Sequence, residues 1–287
     1  MQLSVFTVAT PELTPEELGK AAREAGIHAI EWRYKEAPAD AESLKPSYWG
    51  NNLCTLLPSG GDEMIERFRE VAEVNGLRSL SVTPYLTAGD LEATEEVLRA
   101  AKRIGASFIR LGIPGYDRSR PFAELFELAR GYLKEAEKLC RQYGVKGLIE
   151  THHVTIAPSA SAAYRLCEGF DPDCIGVLYD PGNMVHEGYE NYKMGLELLG
   201  PYLAHVHVKN AGWKTNGIAE DGSVRWDSVW SGLTEGVVPW KQVIEDLKAV
   251  GYEGYLGVED FSGQFADSAE MLQHFTEYIN KLLKAES

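Results

Sequence analysis

Val145-Lys-Gly-Leu-Ile-Glu150, Ile175-Gly-Val-Leu-Tyr-Asp180, Leu203-Ala-His-Val-His-Val208 and Tyr255-Leu-Gly-Val-Glu259 are four short apolar runs in one segment ending at Asp260. Each is rich in Val, Ile, Leu or Tyr, as a strand buried on both faces is. Three end on a carboxylate, and His207 stands near the end of the other. Helical patterns separate the runs, so the segment reads as repeated βα units. In a closed parallel barrel the strand C-termini open on one face, where such folds place their chemistry. One carboxylate at a strand end is often a helix cap or a loop ion pair, but four metal-binding residues in successive units converge. Glu150, Asp180, His207 and Glu259 are therefore candidate ligands of one divalent cation. Oxygen-rich ligation without thiolate favours Mn2+, Mg2+ or Co2+, and Zn2+ and Fe2+ are compatible with it.

The same rhythm extends to both ends of the chain. Strands are expected over 3–9, 29–33, 79–83 and 108–113, ahead of the four quoted. Thr14-Pro15-Glu16-Glu17 gives a cap, a proline at the first helical position and acidic first-turn residues, which start a helix running to Ala25. Further helices are expected from 61 to about 75, over 87–105, 120–143, 158–168, 190–200 and 239–251, and from 267 to about 285. The connection 210–238 is long and rich in Gly and Trp. It carries no evident structure and reads as a lid or binding loop presenting Trp213, Trp226 or Trp230 to substrate. Eight strands alternating with eight helices, with no linker between them, give one domain over 1–287: a single (β/α)8 TIM barrel.

Composition agrees. The 287 residues exceed the roughly 250 a barrel of this kind needs, and 44% hydrophobic residues can fill a large core. A formal charge of −15 without a basic run argues against nucleic-acid or anionic-membrane partners. Cys54, Cys140, Cys167 and Cys174 show no CxxC spacing and read as buried, reduced thiols. The N-terminus enters a strand directly, without a signal-peptide pattern, and no apolar run approaches a membrane span. A cytoplasmic location is expected, with a small-molecule sugar as partner and the chain acting alone or as a homo-oligomer.

Strand alternation places the remaining candidates. His205 and His207 share the inward face, with His205 one layer deeper as a core histidine or a support for the ligand layer. His152 shares parity with Glu150 and sits above the metal layer as a candidate substrate contact. Lys209 follows His207 toward the mouth, to grip an anionic or hydroxyl-rich substrate or, alternatively, to lie on the surface. A cation in this setting can accept two adjacent substrate oxygens and stabilise an enediolate. Glu150 and Glu259, approaching from separated strands, then form a candidate acid–base pair for a ketose isomerase or epimerase. A dehydratase that expels a β-hydroxyl after enolisation would use the same ligands, and a non-catalytic sugar-binding subunit is the remaining alternative.

These residues also carry a resemblance. Leu148-Ile-Glu-Thr-His152, Tyr179-Asp-Pro-Gly-Asn183, His205-Val-His-Val-Lys209, Gly236-Val-Val-Pro-Trp240 and Gly257-Val-Glu-Asp-Phe261 resemble the sugar phosphate isomerase/epimerase family of xylose isomerase-like TIM barrels. The group includes inosose dehydratase, hydroxypyruvate isomerase, ketose 3-epimerases and endonuclease IV. The resemblance implies Glu150, Asp180, His207 and Glu259 as metal ligands, with the two glutamates as the acid–base pair. Ketose 3-epimerases carry a substrate-contacting His where this chain has Asn183, and an Arg where it has Trp213. Both positions are candidate substrate contacts, and both departures speak against free-ketose 3-epimerisation. With His only 7 in number and no basic face, the chain lacks what a three-metal nuclease needs.

Overall fold

The computed structural model describes residues 1–285. In chain order the strands and helices are β1 (Gln2–Phe6), α1 (Pro15–Ala25), β2 (Ala29–Tyr34), β3 (Thr55–Leu56), α2 (Gly61–Val74), β4 (Arg78–Pro84), α3 (Leu91–Ile104), β5 (Phe108–Arg110) and α4 (Phe122–Tyr143). They continue as β6 (Lys146–Glu150), α5 (Ala160–Cys167), β7 (Ile175–Tyr179), α6 (Pro181–Glu187), α7 (Tyr192–Leu199) and β8 (Leu203–Val208). The last are β9 (Asn210–Ile218), β10 (Val224–Ser231), α8 (Trp240–Ala249), β11 (Tyr255–Val258) and α9 (Ser268–Lys284).

Eight strands pair in parallel around a circle: β1, β2, β4, β5, β6, β7, β8 and β11, which returns to β1. The helices pack outside, and the expected (β/α)8 barrel is what forms. Alternation does the sorting. Val206 and Val208 are fully buried on the outward side of β8, while His205 and His207 point to the axis. Helix starts are fixed locally, as at α1, where the Thr14 side chain accepts from the Glu17 amide and Glu17 answers the Thr14 amide. The four cysteines are buried free thiols. No helix among the described residues is long and apolar enough to cross a membrane.

Four expectations need correction, one of them the strand expected over 108–113, which stops at Arg110. The first strand stops at Phe6, and residues 7–9 form a 3-10 turn. The helix expected from Thr87 starts at Leu91, because Asp90 caps it through the Ala93 amide at 3.0 Å. The connection 210–238, read as structureless, contains an antiparallel hairpin of β9 and β10. Its polar outer half hid the alternation that a half-buried strand would show: residues 213–218 and 220–227 are exposed. Helix α6 is an addition, seven residues opened by Pro181.

Candidate metal centre and active site

Glu150, Asp180, His207 and Glu259 lie where the strand ends converge. Each offers a ligand atom within 4.8 Å of the others, and all four are buried. His207 Nδ1 is 3.7 Å from Glu150 Oε1, 3.8 Å from Asp180 Oδ2 and 3.7 Å from Glu259 Oε2. That nitrogen is buried and has no hydrogen-bond partner. A lone ring nitrogen facing three carboxylate oxygens, with no thiolate nearby, fits a hard or borderline divalent cation. Charge points the same way. Of the buried carboxylates, Glu150 meets Arg110, Asp180 and Glu259 share Lys209, and Glu31 meets only the rings of His205 and His207, so a divalent ion would offset the excess of negative charge. This His/Glu/Asp cluster is a divalent-metal-binding site.

Asp180 combines two roles that compete when the sequence is read alone. Its Oδ1 accepts from the Asn183 amide at 2.9 Å and caps α6, while Oδ2 faces the cluster. Burial pushes its carboxyl up to about 6, against the Lys209 charge and with that of Glu259 and Glu150. Glu150 is the opposite case. Burial is the largest influence and opposes its ionisation, but the Arg110 guanidinium at 2.7 Å, together with His207 and His152, outweighs it and holds the carboxyl well below the usual range.

Beneath this layer lies Glu31 on β2, 1% exposed. It accepts from His207 Nε2 at 2.9 Å and from Ser4 Oγ at 2.9 Å, and His205 Nε2 is 2.9 Å from its other side. Holding Nε2–H fixes the tautomer that turns Nδ1 toward the carboxylates, the arrangement metal-binding histidines use. Glu31 reaches β8 from β2 past β1 and β11 only because β11 has a glycine there. A Cβ on Gly257 would stand 2.3 Å from Glu31 Oε1.

Above the cluster is a cleft of about 540 Å³. His152 lines it, with Nδ1 2.7 Å from the His153 carbonyl. Asn183 lines it too, but its amide donates to Glu150 at 3.1 Å and Asp180 at 3.0 Å, so it braces the carboxylates. Lys209 is buried rather than on the surface. Its ammonium bonds Glu259 and lies 2.9 Å from Asp180, and it sits 4.9 Å from the Trp230 ring and 5.4 Å from the Phe261 ring. Of the hairpin tryptophans, Trp230 lines the cleft. Trp213 lies outside the lining, its indole N–H donating to the Val185 carbonyl at 3.1 Å, and Trp226 is exposed.

Sequence reasoning missed Glu31, Arg110, Trp49 and Phe261. The first two had a usable signal: Arg110 is the one charge in β5 and Glu31 stands two residues from Arg33 in β2, strands where a charge is costly unless paired. Trp49 and Phe261, whose rings are 4.7 Å apart, come from loops distant in sequence and had none.

The family model described as xylose isomerase-like TIM barrel matches residues 20–281. The inosose dehydratase of Geobacillus thermodenitrificans is 27% identical over 212 residues, covering 64% of this chain and 70% of that protein. The inosose dehydratase of Halalkalibacterium halodurans is 24% identical over 275 residues, covering 82% and 86%. Among solved structures, a 3-keto-D-glucoside 4-epimerase from E. coli superposes with TM-score 0.71 at 15% identity, over 99% of this chain and 100% of that one. A probable 3-DHS dehydratase from Bacillus anthracis gives 0.70 at 17%, over 98% and 99%. The chain belongs to the xylose isomerase-like TIM barrel family, and with this site it is a metal-binding, sugar-processing enzyme of that superfamily.

Proposed function

We propose that the protein is a metal-dependent dehydratase that removes water from a keto-cyclitol or keto-sugar. The observation that carries this reading is the pairing of both glutamates. Arg110 bonds Glu150, and Lys209 bonds Glu259. A two-base epimerase needs these carboxylates free to exchange protons on opposite faces of one carbon. A dehydratase instead needs one base and one acid beside the ligand layer, and His152 and Lys209 supply an imidazole and an ammonium there. The relatives named inosose dehydratase support the same choice.

Glu150, Asp180, His207 and Glu259 hold the divalent ion in this reading, and the ion when bound supplies a Lewis acid for the substrate carbonyl. His152 takes the proton from the carbon beside that carbonyl. Enolisation comes first; the electron pair then forms a carbon–carbon double bond to the β-carbon as the β-hydroxyl leaves, and Lys209 gives that hydroxyl its proton, releasing water. Arg110 and Asn183 hold Glu150 in place, and Trp230 and Phe261 limit water around the Lys209 ammonium. The test is incubation of the Mn2+- or Co2+-loaded protein with inososes and keto-sugars in D2O, followed by NMR. A product short of one water with a new vinylic carbon is expected. A product of unchanged formula with an inverted centre or a moved carbonyl overturns the reading in favour of an epimerase or isomerase.

A further inference from the structure

The cleft over the cluster does not end at the barrel mouth. Leu86 and Ile113 line it and also line a second cavity of about 450 Å³, formed by the loops after β4, β5 and β6. The neighbouring hollows share a wall. Apolar groups make up the larger part of its lining, with Leu125, Leu128, Tyr116 and Val154 facing it, and Thr87, Asp117, Ser119 and Arg120 complete it; Leu128, Tyr116 and Val154 are among the exposed large hydrophobic residues of the chain. Exposed apolar side chains gathered at one place mark a binding surface rather than a core.

The wall is built, not loose. The Tyr116 amide donates to the Val154 carbonyl at 2.9 Å and the Ile156 amide to the Pro114 carbonyl at 3.1 Å, which zips the two loops together. Val154 itself has φ of 58°, a left-handed conformation costly for a β-branched residue. Its amide is held by Glu187 Oε2 at 2.6 Å. The strain does not serve burial, because Val154 is 53% exposed and faces the second cavity. On the opposite side Gly112 has no room for a side chain: a Cβ would lie 2.3 Å from the Leu86 carbonyl oxygen. That close approach seats the Leu86–Ala88 segment between the two hollows.

We infer that the second cavity is a subsite for a ring-sized apolar substituent, an aryl aglycone, carried by the sugar that reaches the metal centre. The inference rests on the proposed reading for the sugar's identity, but its test does not. Binding of phenyl β-D-glucoside and of methyl β-D-glucoside to the metal-loaded protein is measured by tryptophan fluorescence and by saturation-transfer NMR. The phenyl compound is expected to bind at least about tenfold tighter, the lower end of the return for burying an aromatic ring, with its ring protons receiving the stronger transfer. Ala88→Phe, which fills the cavity from its rim, should remove the preference and leave methyl glucoside binding unchanged. Val154→Gly, which removes the wall without touching the barrel, should reduce it. Equal binding of the two glucosides, or a preference that survives Ala88→Phe, overturns the subsite. Phenyl selectivity without any dehydration leaves the subsite standing and sinks the reaction proposed above. Dehydration of an unsubstituted inosose with equal glucoside binding does the reverse.

Discussion

Replacing Gly257 by Ala adds one methyl group to β11, inside the barrel and away from the mouth. That Cβ would stand 2.3 Å from Glu31 Oε1, 3.0 Å from Ser4 Oγ and 3.1 Å from His205 Nε2, whereas ordinary van der Waals contact begins at 3.4 Å. Glu31 must therefore retreat by about 1 Å, enough to break its 2.9 Å bond to His207 Nε2. Losing the partner of a metal-binding histidine costs about 10- to 100-fold in metal affinity, or about 1.4–2.7 kcal/mol. Crowding a packed interior costs about 1–3 kcal/mol of fold stability besides. Chelator competition with Mn2+ and a thermal melt read the two effects separately. Glu31→Gln serves as the control: it keeps the shape and removes the charge, so it should weaken metal binding with little crowding cost. If Gly257→Ala binds Mn2+ as tightly as the unaltered protein, Glu31 does not orient His207 and the reasoning fails.

Further outcomes follow from the same geometry. Lys209→Met should lower dehydration by about 10² or more, the scale of a positioned acid, while substrate proton exchange into D2O persists. Loss of both together would make Lys209 a binding residue only. Arg110→Gln frees the Glu150 carboxylate. It should reduce turnover with metal content kept, which elemental analysis checks. Val154→Gly removes backbone strain of about 1–3 kcal/mol against a glycine entropy cost of about 0.5–1 kcal/mol, so its melting temperature should rise. Burial and neighbouring charges push His153 down to about 3 and His186 down to about 4, from an ordinary 6.5. The stability they contribute is complete above pH 6.5 and is lost as pH falls toward those values. Both rings are only partly buried, so the loss is about 1 kcal/mol each after solvent screening. Melting curves of His153→Phe and His186→Phe should be flatter on the acid side.

The sequence by itself determined the barrel and the four residues of the cluster. Each quoted strand is short, doubly buried and stopped by its own ending, so Glu150, Asp180, His207 and Glu259 announce themselves within single βα units. Strand parity, which is a property of the local backbone, also put His152 and Lys209 on the axis side. Helix α6 escaped because one residue, Asp180, served both as strand end and as helix cap, and the pattern showed only the first. The hairpin escaped because its outer half faces water on both sides and leaves no alternation to read. What only the tertiary structure decided is the set of contacts made across the barrel. Glu31 meets His207 because β2 and β8 face one another across the axis and Gly257 leaves the passage open. Arg110 meets Glu150 because β5 and β6 pair in the register Arg110↔Leu148. Such partners are tens of residues or more apart in the chain, and their pairing depends on closure of the sheet, a property of all eight strands together and not of any one segment.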